Sequence, residues 1–178
     1  MVATQKLRLT NTQIKLFGGV TRVNALLWKR KMLLKPKDSK KKKVTWKKAW
    51  DVFSLYIRTR DGFKCALGKD HNDVMQAGHV IDNGRGHAIR FLEDDVFCQC
   101  RSCNMAHSLD NWSYHKWYRQ TYGEATLDEI SILKKHTGKL YVQLKPEIIV
   151  FGKNDFASVN EYYESKLTAL KQANLASN

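Results

Sequence analysis

The stretch 77-AGHVIDNGRGHAIRFLEDDVFCQCRSCN-104 decides how this chain is read. A Gly-His pair opens it, three cysteines fall within six positions near its end, and an asparagine follows the last of them. Extended pieces over about Met75 to Ile81 and Ile89 to Gln99 flank the polar, glycine-containing loop 82-DNGRGH-87, the pattern of a hairpin with a wide loop. Cys100-Arg-Ser-Cys103 is a CxxC knuckle, whose two thiolates reach one zinc ion where a tight turn joins a strand to a helix.

Zinc takes four ligands, so partners are expected upstream. Cys65 sits in a turn-like context, CALGKDH, and His71 lies six residues further on. Cys65, His71, Cys100 and Cys103 make one candidate set. Cys98, two residues before Cys100 and on the same strand face, is an alternative ligand or a small buried thiol. The reading without any zinc, a chance arrangement of thiols, stays open at this point.

Outward from this segment, Thr45 caps a predicted helix running to about Arg60, with Trp46, Trp50, Phe53 and Ile57 at near-helical spacing and Asp61-Gly62 as the stop. Beyond Cys100 the pattern predicts one helix to about Tyr122, ended by Gly123, then a second over Leu127 to Lys135. The piece 139-KLYVQLKPEIIVF-151 reads as a strand pair or an extended arm broken at Pro146, and Val159 to Ala173 as a terminal helix. The fold class is therefore α+β. Its expected divisions are an N-terminal segment and basic arm (1–44), a core (45–138) and a C-terminal extension (139–178).

The 178 residues carry a formal net charge of +14. Residues 29–48 hold eleven Lys or Arg against Asp38 alone, a net +10 in one window. A block of this kind is a solvated arm suited to a polyanion, most simply the DNA backbone gripped without reading sequence. Lys40, Lys41, Lys42, Lys43 and Lys47 are the expected contacts, with Arg85 in the hairpin loop and Arg90 beside it near a bound phosphate. The competing reading is a solubilising tail. No apolar run approaches the roughly 20 residues needed to span a bilayer, and no signal-peptide pattern opens the chain, so no membrane partner and a cytoplasmic location are expected. Cysteines there stay reduced, which favours metal binding over disulfides.

Cleaving a phosphodiester with water needs a base for the water's proton and a divalent cation to hold the phosphate. A zinc-stapled hairpin would set His79 opposite Asn104, an imidazole base facing a hard amide oxygen suited to hydrated magnesium. The order His79, Asp95, Cys100-x-x-Cys103-Asn104 resembles the HNH nuclease motif with its ββα-metal fold. More closely, AGH, IRFLEDDVFCQCRSCN and the later DN and YG are similar to the NinG (Rap) family of bacteriophage recombination proteins, in which AGH precedes a run like LRFNEDNVHxQCxxCN. The likeness extends upstream through 48-KAWDVFSLYIRTRDGFKC-65 and covers about residues 46–130.

The resemblance implies His79 as general base, Asn104 as ligand of Mg2+ (or Mn2+), and Asp95 at the position of the asparagine that holds the hairpin loop. It also makes Cys65, Cys100 and Cys103 three of four zinc ligands, the fourth cysteine being absent from CALG. Gly78 stands where many HNH members carry an aspartate metal ligand. His107 and Asn111, three and seven residues after Asn104, share its helical face, and His107 is a possible magnesium ligand or a surface histidine. His87, His115 and His136 have no constellation around them. The implied function is a metal-dependent endonuclease on branched or single-strand-containing DNA in phage recombination, where symmetric cleavage of junctions would call for a homodimer. The alternatives are an inactive zinc-stabilised DNA-binding module and an HNH nuclease of the homing or DNA-packaging type.

Overall fold

A computed structural model describes residues 43–69, 71, 73–82 and 88–176. The N-terminal segment, with the arm lysines Lys40, Lys41 and Lys42, and the loop residues Arg85 and His87 lie outside them.

Helix α1 (Trp46–Arg60) starts where predicted: Thr45 is extended and its hydroxyl accepts from the Lys48 N–H at 3.3 Å. It stops at Gly62 and Phe63, both at positive φ. Ala49, Phe53, Tyr56 and Ile57 form its buried stripe. Its C-terminal end is tied to the hairpin, because Arg60 donates to the carbonyls of Glu93 and Val96 and the Asp61 carboxylate accepts from the Cys98 N–H at 2.8 Å.

Strands β1 (Met75–His79) and β2 (Val96–Cys100) pair antiparallel, with Met75 opposite Cys100 and His79 opposite Val96. The second arm is thus shorter than the 89–99 expected. Residues 88–95 form successive turns, with Leu92 N–H bonded to Ile89 and Asp95 N–H to Leu92. Ala88, Ile89, Phe91 and Leu92 are all buried there, carried into the core by the turns rather than by a strand.

The single helix expected after Cys100 is two, α2 (Arg101–Leu109) and α3 (Trp112–Tyr122). Asp110 between them is extended, and its side chain accepts from the Trp112 N–H at 3.0 Å, a local bond that ends one helix and begins the next. Helix α4 (Glu124–Lys134) follows Gly123, at φ 88°. Strands β3 (Lys139–Gln143) and β4 (Ile149–Gly152) form the expected second pair, and α5 (Phe156–Ala176) outruns its predicted ends on both sides.

Two apolar regions hold this body together. One joins Val80, Leu92, Phe97, Tyr114, Tyr118 and Ile130 beneath the hairpin and α3–α4. In the other, α1 packs on α5, with Phe53 against Tyr163 at 4.6 Å between ring centres and Phe91 alongside. No helix among the described residues is long and apolar enough to cross a membrane.

Candidate metal centre and adjoining cleft

Cys100 ends β2 and is also the extended N-cap of α2, its Sγ accepting from the Cys103 N–H at 3.5 Å. That junction turns both knuckle thiols to one side. Cys65 comes to them from the turn after α1, a turn fixed to β2 by the Ala66 N–H on the Cys98 carbonyl at 2.8 Å. The Sγ atoms of Cys65, Cys100 and Cys103 all lie within 4.8 Å of one another, close enough to hold a metal ion such as zinc. His71 Nδ1 is 3.0 Å from Cys100 Sγ and 3.6 Å from Cys103 Sγ. The three thiols are thus the group near enough to share one ion, and His71 adjoins two of them.

Cys98 lies apart from that group. It sits on the strand opposite Ala77, fully buried, and burial pushes its thiol up to about 11. Burial likewise pushes the Cys103 thiol up to about 12, so a metal taking it as thiolate displaces its proton.

The other end of the hairpin opens into a cleft of about 730 Å³, lined among others by Gly78, His79, Asp82, Asn104 and His107. The structure thus brings His79 and Asn104 to one cavity. The His79 ring stacks on Trp50 of α1 (centroids 5.4 Å apart, planes 11° apart), and its Nε2 lies 3.1 Å from the Arg90 carbonyl. A carbonyl only accepts, so Nε2 carries the proton and Nδ1 keeps its lone pair. Burial against Trp50 and the strand brings the ring's pKa down to about 4, and it is neutral at pH 7.

Asn104, in the first turn of α2, donates its Nδ2 to Gln76 Oε1 at 2.9 Å, which turns Oδ1 the other way, over Gly78. A Cβ at position 78 would lie 2.7 Å from that Oδ1 and 2.2 Å from Gln99 Oε1, so only glycine leaves room for the two carboxamides. Tyr114 donates to the Gly78 carbonyl from below.

Asp95 is fully buried behind the cleft. Its Oδ1 accepts from the Ile81 N–H at 2.9 Å and its backbone carbonyl from the Val80 N–H at 2.7 Å, so it spans the base of the hairpin loop. Burial raises its carboxyl well above the usual range, and Oδ2 has no partner among the described residues. His107 lines the cleft with its edge on Tyr114, and its buried Nδ1 is likewise unpartnered. His115, assigned no role from sequence, donates to the Val80 carbonyl at 2.8 Å.

Of the predicted phosphate contacts, Lys43 and Lys47 are exposed near the start of α1, and the Arg90 guanidinium lies 4.9 Å over the Trp46 ring. Trp50, Gln76 and Gln99 are neighbours of the site that sequence reasoning did not single out. The signal for Gln99 was present: it is the one polar side chain in the otherwise apolar or thiol strand VFCQC.

No curated protein and no solved structure matches the chain. The family model described as Bacteriophage Lambda NinG protein matches residues 22–161, which takes in α1, the cysteine cluster, the hairpin, the cleft and the second strand pair. This chain belongs to the NinG family.

Proposed function

We propose that the protein is a divalent-cation-dependent DNA endonuclease of the HNH, ββα-metal type, acting on branched or single-strand-containing DNA in phage recombination. The observation that carries this reading is the shared cleft: a neutral imidazole and an amide oxygen open into one cavity at the junction of a hairpin and a helix. His79, with Nε2–H given to Arg90, takes the proton of the attacking water on Nδ1. Asn104 presents Oδ1, a hard oxygen suited to Mg2+ or Mn2+, and His107 borders the same space. The donors suit such a cation: the carboxamide oxygens lie over a glycine whose Cβ would displace them, and the His107 Nδ1 lacks a partner. When bound, the cation holds the phosphate and offsets charge on the leaving oxygen.

Asp95 keeps the loop between the strands closed on its Ile81 N–H and so keeps His79 at the cleft edge. A zinc ion on Cys65, His71, Cys100 and Cys103 would staple the α1 turn to the start of α2 and hold Asn104 against the hairpin. Lys43, Lys47 and the lysines before them supply contacts to the DNA backbone, which weaken steeply with salt.

The test is cleavage of duplex, single-stranded and four-way-junction DNA with Mg2+ or Mn2+, comparing the parent with His79→Ala. We expect a loss of about 10²–10⁴-fold in the variant. Activity that survives the substitution removes this mechanism. Absence of cleavage by both proteins, with DNA binding intact, favours instead a zinc-stabilised binding module.

A further inference from the structure

Gln99 is the fully buried polar residue of β2, and neither its Oε1 nor its Nε2 has a partner among the described residues. A buried carboxamide left unpaired at both atoms is strongly disfavoured, so the arrangement needs an occupant. Its surroundings say which kind. Gln99 Oε1 and Asn104 Oδ1 lie 2.2 and 2.7 Å from the position that a Cβ on residue 78 would take, hence at most 4.9 Å from each other. Two acceptor oxygens this near each other on one side of the strand repel unless a cation or a donor bridges them. Asn104 is not that donor, since its Nδ2 donates to Gln76 Oε1 and no donor reaches Gln99 Oε1 among the described residues. Gly78 clears the space by having no side chain.

We propose that Gln99 Oε1 is a second carboxamide ligand, beside Asn104 Oδ1, for a divalent cation bound over Gly78. This rests on the reading of the cleft as a cation site and adds a ligand from the neighbouring strand. The cation class follows from the donors. Neutral, hard oxygens with no thiolate or carboxylate among them suit Mg2+ or Mn2+ that keeps several waters, and select against zinc, which the thiol cluster takes. Two neutral ligands also imply weak binding, completed by the phosphate of the substrate.

The measurement is Mn2+ binding to the zinc-loaded full chain without DNA, followed by the electron paramagnetic resonance signal of free Mn2+, for the parent, Gln99→Met, Gln99→Glu and Asn104→Ala. Gln99→Met keeps the shape and loses the oxygen, and we expect binding roughly tenfold weaker or more. Gln99→Glu adds charge to the ligand, and binding should tighten and steepen with pH as the carboxyl gives up its proton. A Gln99→Glu protein that binds more weakly than the parent would mean that Gln99 offers its NH2 to Asn104, and the proposal falls. Parental affinity in Gln99→Met overturns it as well. Unchanged binding in Asn104→Ala is a different failure, that of the cation site itself. Zinc content and thermal melts show which variants are folded, and Gln99→Glu decides alone should Gln99→Met not fold.

Discussion

Acidification should cost this protein stability through His79. The ring sits against Trp50 with Nε2 on a carbonyl, and its pKa falls from the ordinary 6.5 to about 4 because burial disfavours the imidazolium. In the unfolded chain the same residue takes a proton near 6.5. Between the two values the unfolded state binds one proton more than the folded state, so stability rises with pH and is lost as pH falls. Each unit between the two values is worth up to about 1.4 kcal/mol, giving about 2 kcal/mol by pH 5 and approaching about 3.4 kcal/mol only well below pH 4. Other groups titrate in this range, His107 among them, whose pKa burial also lowers. The informative quantity is therefore a difference. His79→Gln keeps a donor for the Arg90 carbonyl and cannot titrate. Urea unfolding of both proteins at intervals from pH 7.5 to 5, without added Mg2+, should show the parent losing about 2 kcal/mol more than the variant. Parallel losses would falsify the claim that this imidazole is held neutral by its packing. A kinetic counterpart follows for an active enzyme: the acid limb of kcat/KM should lie well below 6.5, since a base with this pKa stays unprotonated there.

Asp95 carries the opposite sign. Its folded-state pKa is raised well above 3.8, so stability is present below that value and falls as pH rises through it, by about 1.4 kcal/mol per unit until the folded pKa is reached. Asp95→Asn keeps an acceptor for the Ile81 N–H and removes the slope, so it should be the more stable protein at pH 8; matching pH slopes in the two proteins would contradict this. Purified protein should hold one zinc ion per chain, with His71→Ala weakening zinc retention roughly tenfold or more in chelator competition and Cys98→Ser leaving it unchanged. The reverse order would move the fourth ligand to Cys98. Gly78→Ala must displace Gln99 or Asn104, and we expect about 1–2 kcal/mol of destabilisation with a much larger loss of Mn2+ binding. Parental Mn2+ binding would show that the carboxamides can part without consequence.

The features legible in the sequence were those whose determinants are neighbours in the chain. Thr45 as a cap, Gly62 as a stop, the knuckle at a strand-to-helix junction and the pair of strands around Pro146 each rest on a few adjacent residues. The break at Asp110–Asn111 had a local signal too, but Trp112, Tyr114, Trp117 and Tyr118 continue the helical spacing past it and conceal the cap. The stretch 88–95 misled for a related reason. Its apolar residues resemble a buried strand in composition, while their placement at 88, 89, 91 and 92 is that of turns packing both sides into one core. Trp50 was readable as a core residue of a helix, but not as the partner of a ring 29 positions away. Gln99 alternates correctly along its strand, and only the approach of α2 reveals that its carboxamide has nothing to bond.

The C-terminal extension reaches the cleft through the same turns that sequence mistook for a strand. The carbonyl that fixes the His79 tautomer belongs to Arg90, and the next residue, Phe91, has its own carbonyl held by the Tyr163 hydroxyl of α5. The Val142 carbonyl of β3 lies 2.9 Å from the same hydroxyl and shares its proton. Two residues further along, the Glu93 carboxylate receives Tyr56 from α1 at 2.6 Å and Tyr162 and Lys166 from α5. The Arg60 guanidinium meanwhile grips the Glu93 carbonyl. A loop of this kind, left to itself, would exchange among turn conformations on fast timescales, and the proton on His79 would exchange between nitrogens with it. Clamped from α1 on one side and α5 on the other, the Arg90 carbonyl has one position and the imidazole one tautomer. A helix that contributes no side chain to the cleft is thus part of what makes Nδ1 the basic nitrogen.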